Sequence, residues 1–180
     1  TAANSHPHTN ADGSIVVVHN GIIENYQDLR KELESKGHTF LSETDTEIIP
    51  HIIEEEMKTN SDFASAVRNA CTKFEGRYGI LAFHEESNIL VATRTGSPLI
   101  VGVSKEDGYF IASDIPAFME HTKVVQYLDD GEMVVTDGKS ILFTDLITGE
   151  EKPKRENEIT WSVEKAQKGD YAQYMLKEIM

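Results

Sequence analysis

Apolar positions fall into two regimes along the chain. In the first, SIVVV at 14–18 is β-branched and nearly all apolar, which predicts a strand buried on both faces. Ile22, Ile23, Tyr26, Leu29 and Leu33 then recur at helical spacing, with Glu24, Asp28, Arg30, Lys31 and Glu32 between them. That pattern predicts an amphipathic helix over 22–36, ending at Gly37 just past a last turn that holds Lys36. A short extended piece, HTFLS, leads to a second predicted helix over 46–58. Thr44 and Glu47 there have capping-box spacing, and Pro50 predicts a slight distortion. Ser61 or Asp62 is placed to cap a third helix reaching about Phe74, its inner face made of Phe63, Ala66, Val67, Ala70 and Cys71.

After Gly76 the pattern changes to short strands, at 77–85, 87–95, 97–104, 108–114, 123–128, 132–138 and 140–145. Turn clusters such as EES, KEDG, DDG and DGK separate them, and one short helix over 115–120 interrupts them. The polar stretch 146–158 reads as an exposed connector, followed by short helices near 161–168 and 170–179. Early helices and late hairpin strands, without regular βαβ alternation, predict an α+β fold with antiparallel sheets. Two stacked sheets covered by helices accommodate strands that are apolar on both faces.

Composition narrows the function. A formal net charge of -14 argues against nucleic acid, whose phosphates are bound by basic patches. No apolar run approaches the roughly 20 residues of a membrane span, and no signal-peptide pattern opens the chain. The single cysteine, Cys71, excludes an internal disulfide framework and fits a cytoplasmic setting. It lies on an apolar helix face, where inert packing is expected rather than nucleophilic chemistry. His6 and His8, with His19 further on, lack a third well-spaced ligand, so neither metal nor cofactor is expected.

Two short motifs carry candidate chemistry. Asn20-Gly21 follows the valine run. It is either a tight turn or a strand-to-helix junction whose backbone N–H groups and Asn20 amide could hold a developing negative charge. In SETDTEII, Asp45 is either a carboxylate facing a helix N-terminus or an acceptor for a ligand ammonium. His6 is either a polar pocket residue or a structural histidine.

NSHPH, HNGIIENY, SETDTE, RTGSPL, ASD at 112–114 and YMLKEI, taken in order, resemble the glutaminase domain of class II, N-terminal-nucleophile amidotransferases. Within that class they are most similar to the glutaminase half of glutamine–fructose-6-phosphate aminotransferases. The resemblance implies a four-layer αββα sandwich with two antiparallel sheets. It implies hydrolysis of the L-glutamine side-chain amide, with ammonia passed to a sugar-isomerase domain that makes glucosamine 6-phosphate from fructose 6-phosphate. It implies an oxyanion hole at Asn20 and Gly21, a substrate-ammonium carboxylate at Asp45, and a pocket role for His6. The family's nucleophile is an N-terminal cysteine, which this chain does not have. The expectation is therefore an N-terminally incomplete glutaminase domain over 1–160, with helices over 161–180 leading toward an isomerase domain. Such a piece is expected to be inactive alone and to self-associate as a homo-oligomer. Another class II acceptor, such as that of phosphoribosylpyrophosphate amidotransferase, and a non-catalytic regulatory module are the alternatives.

Overall fold

The computed structural model describes residues 2–160 of the chain. Within these residues it divides into two compact units, one formed by 2–99 and 128–153, the other by 100–127 and 154–160. The first unit holds a six-stranded sheet of β1 (His8–Thr9), β2 (Ile15–Ile23), β3 (Gly76–His84), β4 (Ile89–Thr95), β8 (Glu132–Thr136) and β9 (Ile141–Asp145), in that order. The second holds a four-stranded sheet in the order β10 (Asn157–Glu158), β7 (Val124–Tyr127), β5 (Ile100–Ser104), β6 (Gly108–Ala112). Every ladder in both sheets is antiparallel, as the hairpin pattern predicts.

In the first unit three helices pack on the sheet: α1 (Tyr26–Ser35), α2 (Ile48–Met57) and α3 (Phe63–Cys71). Ile15, Val17 and Ile23 of β2, Tyr78 and Ile80 of β3, Ile49 and Ile53 of α2, and Val67 of α3 share one buried core. β2 departs from expectation, because only one of its faces is buried. Ile15, Val17, His19 and Ile23 are buried, whereas Val18, Asn20 and Ile22 are exposed, the alternation of a pleated strand. The second unit has its own small core of Ile115, Phe118, Met119, Val125 and Ile159. Gly102 of β5 lets the Phe118 ring lie against the backbone, since a Cβ there would sit 2.7 Å from it.

Helix α1 starts at Tyr26 rather than residue 22, because β2 stays paired with β3 as far as Ile23 opposite Gly76. Glu24 N–H donates to Glu75 O, and the Asn25 side chain accepts from Glu75 N and donates to Lys73 O, so three bonds tie the crossover to the segment before β3. The helix closes as predicted at Gly37. Gly37 N donates to Glu34 O and His38 N to Leu33 O, the paired bonds of a Schellman end, with Gly37 at φ 94°.

At α2 the capping box does not form. Glu47 turns its carboxylate backward to Leu41 N, Ser42 N and Ser42 Oγ, while Thr44 Oγ1 bonds Ser42 Oγ and His8 Nε2. Pro50 causes no break, because it is the third helical residue, where the missing N–H would have had no intrahelical partner. In α3 the cap is Asp62, whose Oδ2 accepts from Ser65 N at 2.8 Å, and all five inner-face residues are buried.

Of the seven late strands, β4, β5, β7 and β9 begin one to three residues inside their predicted limits, β6 and β8 begin at them and β3 begins one residue earlier, and the helix at 115–120 is a single 3-10 turn, Ile115–Ala117. β1 and β10, two residues each, add to the predicted strands, and β10 lies within the 146–158 connector. The helices expected at 161–168 and 170–179 lie outside the described residues. Replacing the α3 cap, Asp62→Ala, should lower unfolding free energy by about 1 kcal/mol in urea titrations, with the denaturant slope unchanged.

Candidate functional site

The site is built where β2 leaves the sheet. Asn20 and Gly21 lie within the strand, opposite Gly79 and Tyr78 of β3, so the junction expected at Asn20-Gly21 is displaced to residues 24–25. These donors therefore belong to a strand end and not to a helix N-terminus. The Asn20 side chain is exposed on the sheet face opposite the helices. Gly21 adopts φ 129°, and a Cβ there would lie 2.1 Å from Arg77 O. Its small size is thus required first by the neighbouring strand. Gly76, across the pair at φ 120°, is crowded in the same way by Ile22 O.

Asp45 is brought to this strand end by a single bond, Ile23 N donating to Asp45 Oδ2 at 2.8 Å. Asp45 is half-buried, and its other oxygen makes no hydrogen bond to a described residue. Thr46, next in the chain, gathers two histidines. His19 Nδ1 lies 3.0 Å and His6 Nε2 3.5 Å from Thr46 Oγ1. His6 itself is exposed and packs edge-on against His8, ring centroids 5.5 Å apart. The structure thus brings together the SETDTE loop, His6 and the end of β2. RTGSPL reaches the same region from the far side of β3, where Tyr78 bridges Gly96 and Arg77 Nη2 donates to Gly96 O.

His19 and Thr46 are two further residues of this corner that no motif assigns a role. The signal for them lies in the sequence: His19 directly precedes Asn20-Gly21, and Thr46 lies inside SETDTE. His19 Nε2 is buried without a hydrogen-bond partner, so its unpaired nitrogen is a free polar group beside Asp45. Burial pushes His19 below its ordinary 6.5, Asp45 opposing the shift and His6 and His8 adding to it. Burial and then His6 likewise lower His8, against the carboxylates of Glu47 and Asp45. Glu47 is 4 % exposed; burial would raise its carboxyl, but its bonds to Leu41 and Ser42 hold it below the ordinary value. Burial pushes the Cys71 thiol up to about 12, which leaves it unreactive. A cleft of about 460 Å³ opens nearby, lined among others by His8, Asn10, Leu41, Glu47 and His51, but by none of Asn20, Gly21, Asp45 or His6.

Comparison with known proteins gives this arrangement a family. Residues 1–120 match the glutamine amidotransferase domain, and the chain belongs to that family. Over 180 residues it is 52% identical to a glutamine–fructose-6-phosphate aminotransferase (isomerizing) of Methanothermobacter thermautotrophicus, covering 99% of this chain and 30% of that protein. It is 46% identical over 177 residues to the same-named protein of Pyrococcus horikoshii, covering 98% of this chain and 29% of the relative. The chain thus spans about 30% of the length of the curated relatives it matches. Among solved structures, a glutamine phosphoribosylpyrophosphate amidotransferase from B. subtilis, complexed with ADP and GMP, aligns with TM-score 0.70. It is 24% identical and covers 82% of this chain and 33% of that one. The fold is the α+β, two-sheet fold of N-terminal-nucleophile amidotransferases. Among the described residues, no helix is long and apolar enough to cross a membrane.

Two outcomes follow from this geometry. Gly21→Ala should cost about 3 kcal/mol or more in urea unfolding, because a β-carbon cannot coexist with Arg77 O at positive φ; a neutral result would mean that the strand end relaxes freely. His8 and His19 both have folded values below 6.5, so their contribution is complete above 6.5 and is lost as pH falls through the folded values. Thermal midpoints should therefore drop as pH falls below 6.5, and His19→Gln should flatten that drop.

Proposed function

We propose that this chain contributes the glutamine-binding and oxyanion-stabilising part of an amidotransferase. In this reading the protein takes the side-chain amide nitrogen of L-glutamine as ammonia and supplies it for making glucosamine 6-phosphate from fructose 6-phosphate. The observation that carries it is the bond from Ile23 N to Asp45 Oδ2. It sets a carboxylate with one spare oxygen beside the Asn20-Gly21 strand end.

The chemistry then divides among a few groups. Asp45 receives the substrate α-ammonium on its free oxygen, a charge-assisted bond. The Asn20 amide and the Gly21 N–H point donors at the amide oxygen as it becomes anionic. His6, through Thr46, lines the approach. The thiol that attacks the amide carbon is that of an N-terminal cysteine, as family membership implies, with its own α-amine as base. Attack forms a tetrahedral intermediate and ammonia leaves. Water then hydrolyses the thioester to glutamate. Cys71 has no part in this. The acceptor half of the reaction belongs to a sugar-isomerase domain of the same protein, which we place in the cytoplasm as a homo-oligomer. Identities of 46–52% to the two glutamine–fructose-6-phosphate aminotransferases, against 24% to the phosphoribosylpyrophosphate enzyme, favour fructose 6-phosphate as acceptor.

Steady-state glutamine hydrolysis by the complete encoded protein tests the assignment. Asn20→Ala should lower kcat by about 100- to 1,000-fold with little change in KM. Asp45→Asn keeps an acceptor for Ile23 N but loses the charge, and should raise KM for glutamine by about 10- to 100-fold. Unchanged glutamine affinity in Asp45→Asn would remove Asp45 from the binding site.

A further inference from the structure

A second cluster lies away from the strand end, where the loop after α1 meets α2. His38 Nδ1 and His51 Nδ1 are 3.0 Å apart, and Glu54 Oε2 lies 3.4 Å from the first and 3.7 Å from the second. These three ligand atoms form the one group among the described residues whose histidine and carboxylate atoms converge this closely. A tetrahedral ion with bonds of about 2.0–2.1 Å sets its ligand atoms about 3.3–3.4 Å apart, the mean of this triangle. The imidazoles are also disposed for sharing one ion, their centroids 5.0 Å apart and planes at 77°.

The surroundings have the second-layer partners of a metal centre. His38 Nε2 lies 2.7 Å from Glu55 Oε1. A carboxylate only accepts, so His38 Nε2 is the donor in that pair, and in the tautomer with its proton there Nδ1 faces His51 and Glu54 as a lone pair. A histidine ligand whose far nitrogen donates to a carboxylate is the usual outer arrangement of zinc sites. Glu54 is oriented in the same way: Asn10 Nδ2 donates to Oε1 at 3.1 Å and leaves Oε2 for the histidines. Asn10 is itself fixed by accepting from Ile15 N. The His38 and His51 side chains are 8% and 2% exposed, so their lone pairs are shielded from bulk water. Without an ion, two Nδ1 atoms at 3.0 Å must share one proton between them; an ion between them uses both lone pairs.

We propose that His38, His51 and Glu54 form a binding site for a zinc-class divalent cation. His51 and Glu54 are one helical turn apart on α2, and His38 closes the site from the loop, so the ion cross-links the two segments. Imidazole and carboxylate ligands suit Zn²⁺, and three protein ligands leave a fourth tetrahedral position for water or a small anion. His51 also lines the 460 Å³ cleft. The site stands independently of the glutaminase reading, because its readout is metal content and not activity.

The test uses the complete encoded protein, stripped with chelator and titrated with Zn²⁺, in wild-type and Glu54→Gln forms. Glu54→Gln keeps the acceptor for Asn10 and should fold, which the thermal midpoint of its metal-free form verifies. Wild type should bind one more Zn²⁺ per chain than Glu54→Gln, with an affinity about 100-fold or more above any residual binding at that position. Glu55→Gln, which removes the charge of the His38 Nε2 partner together with its pairs to Lys36 and Lys58, should weaken binding about 10-fold. Zn²⁺ should raise the wild-type thermal midpoint and leave that of Glu54→Gln unmoved. Co²⁺ in the site should show tetrahedral d–d bands without thiolate charge transfer. Equal zinc content in wild type and Glu54→Gln, or octahedral cobalt bands, overturns the proposal.

Discussion

The close approach of β2 and β3 at Gly21 and Gly76 is the constraint on which the first unit depends. At each glycine the facing carbonyl lies where a side chain would begin, 2.1 Å from the ideal Cβ of Gly21 and 2.3 Å from that of Gly76. The pinch keeps the ladder in register to its last pair, Ile23 opposite Gly76. That register fixes the direction of Ile23 N–H, and Ile23 N–H fixes Asp45. Thr46 and its two histidines follow from Asp45. The chemistry proposed for this corner is therefore downstream of a backbone contact between two strands.

Much of this was legible in the sequence because local patterns and tertiary packing agree. The inner face of α3, the Gly37 stop and the hairpin at Asp137–Lys139 all came from spacing and turn chemistry. Asp137 Oδ1 accepts from Lys139 N and Ser140 N in that turn, as DGK suggested. The failures have equally specific causes. Ile22 and Ile23 happen to fit a helical period with Tyr26, but β3 offers them ladder partners, and tertiary pairing overrides the period. Glu47 had capping spacing, yet Leu41 and Ser42 N–H groups were closer claimants for its carboxylate. Two-residue strands such as β1 and β10 have no period of their own and exist only because a neighbour presents an edge.

The site was legible in part and for a similar reason. Asn20, Gly21 and Asp45 stand in compact motifs, so resemblance singles them out as candidates. The convergence of His6 and His19 on Thr46 could not be read, because it joins residues 40 and 27 positions apart. Metal ligands were sought among His6, His8 and His19, which are near in sequence. The cluster that does converge pairs a loop histidine with two helix residues 13 and 16 positions on, and only the folded chain places them together.

The Glu47 clasp has one more consequence. Leu41 is 88% exposed and its segment has no regular structure, so its amide would ordinarily trade its proton with solvent almost at once. Yet the Leu41 and Ser42 amides are each held 2.7 Å from a carboxylate anchored at the start of α2. In deuterated buffer these two amides would form a slow island inside a fast loop. They would be released together, as one opening event governed by a single acidic side chain.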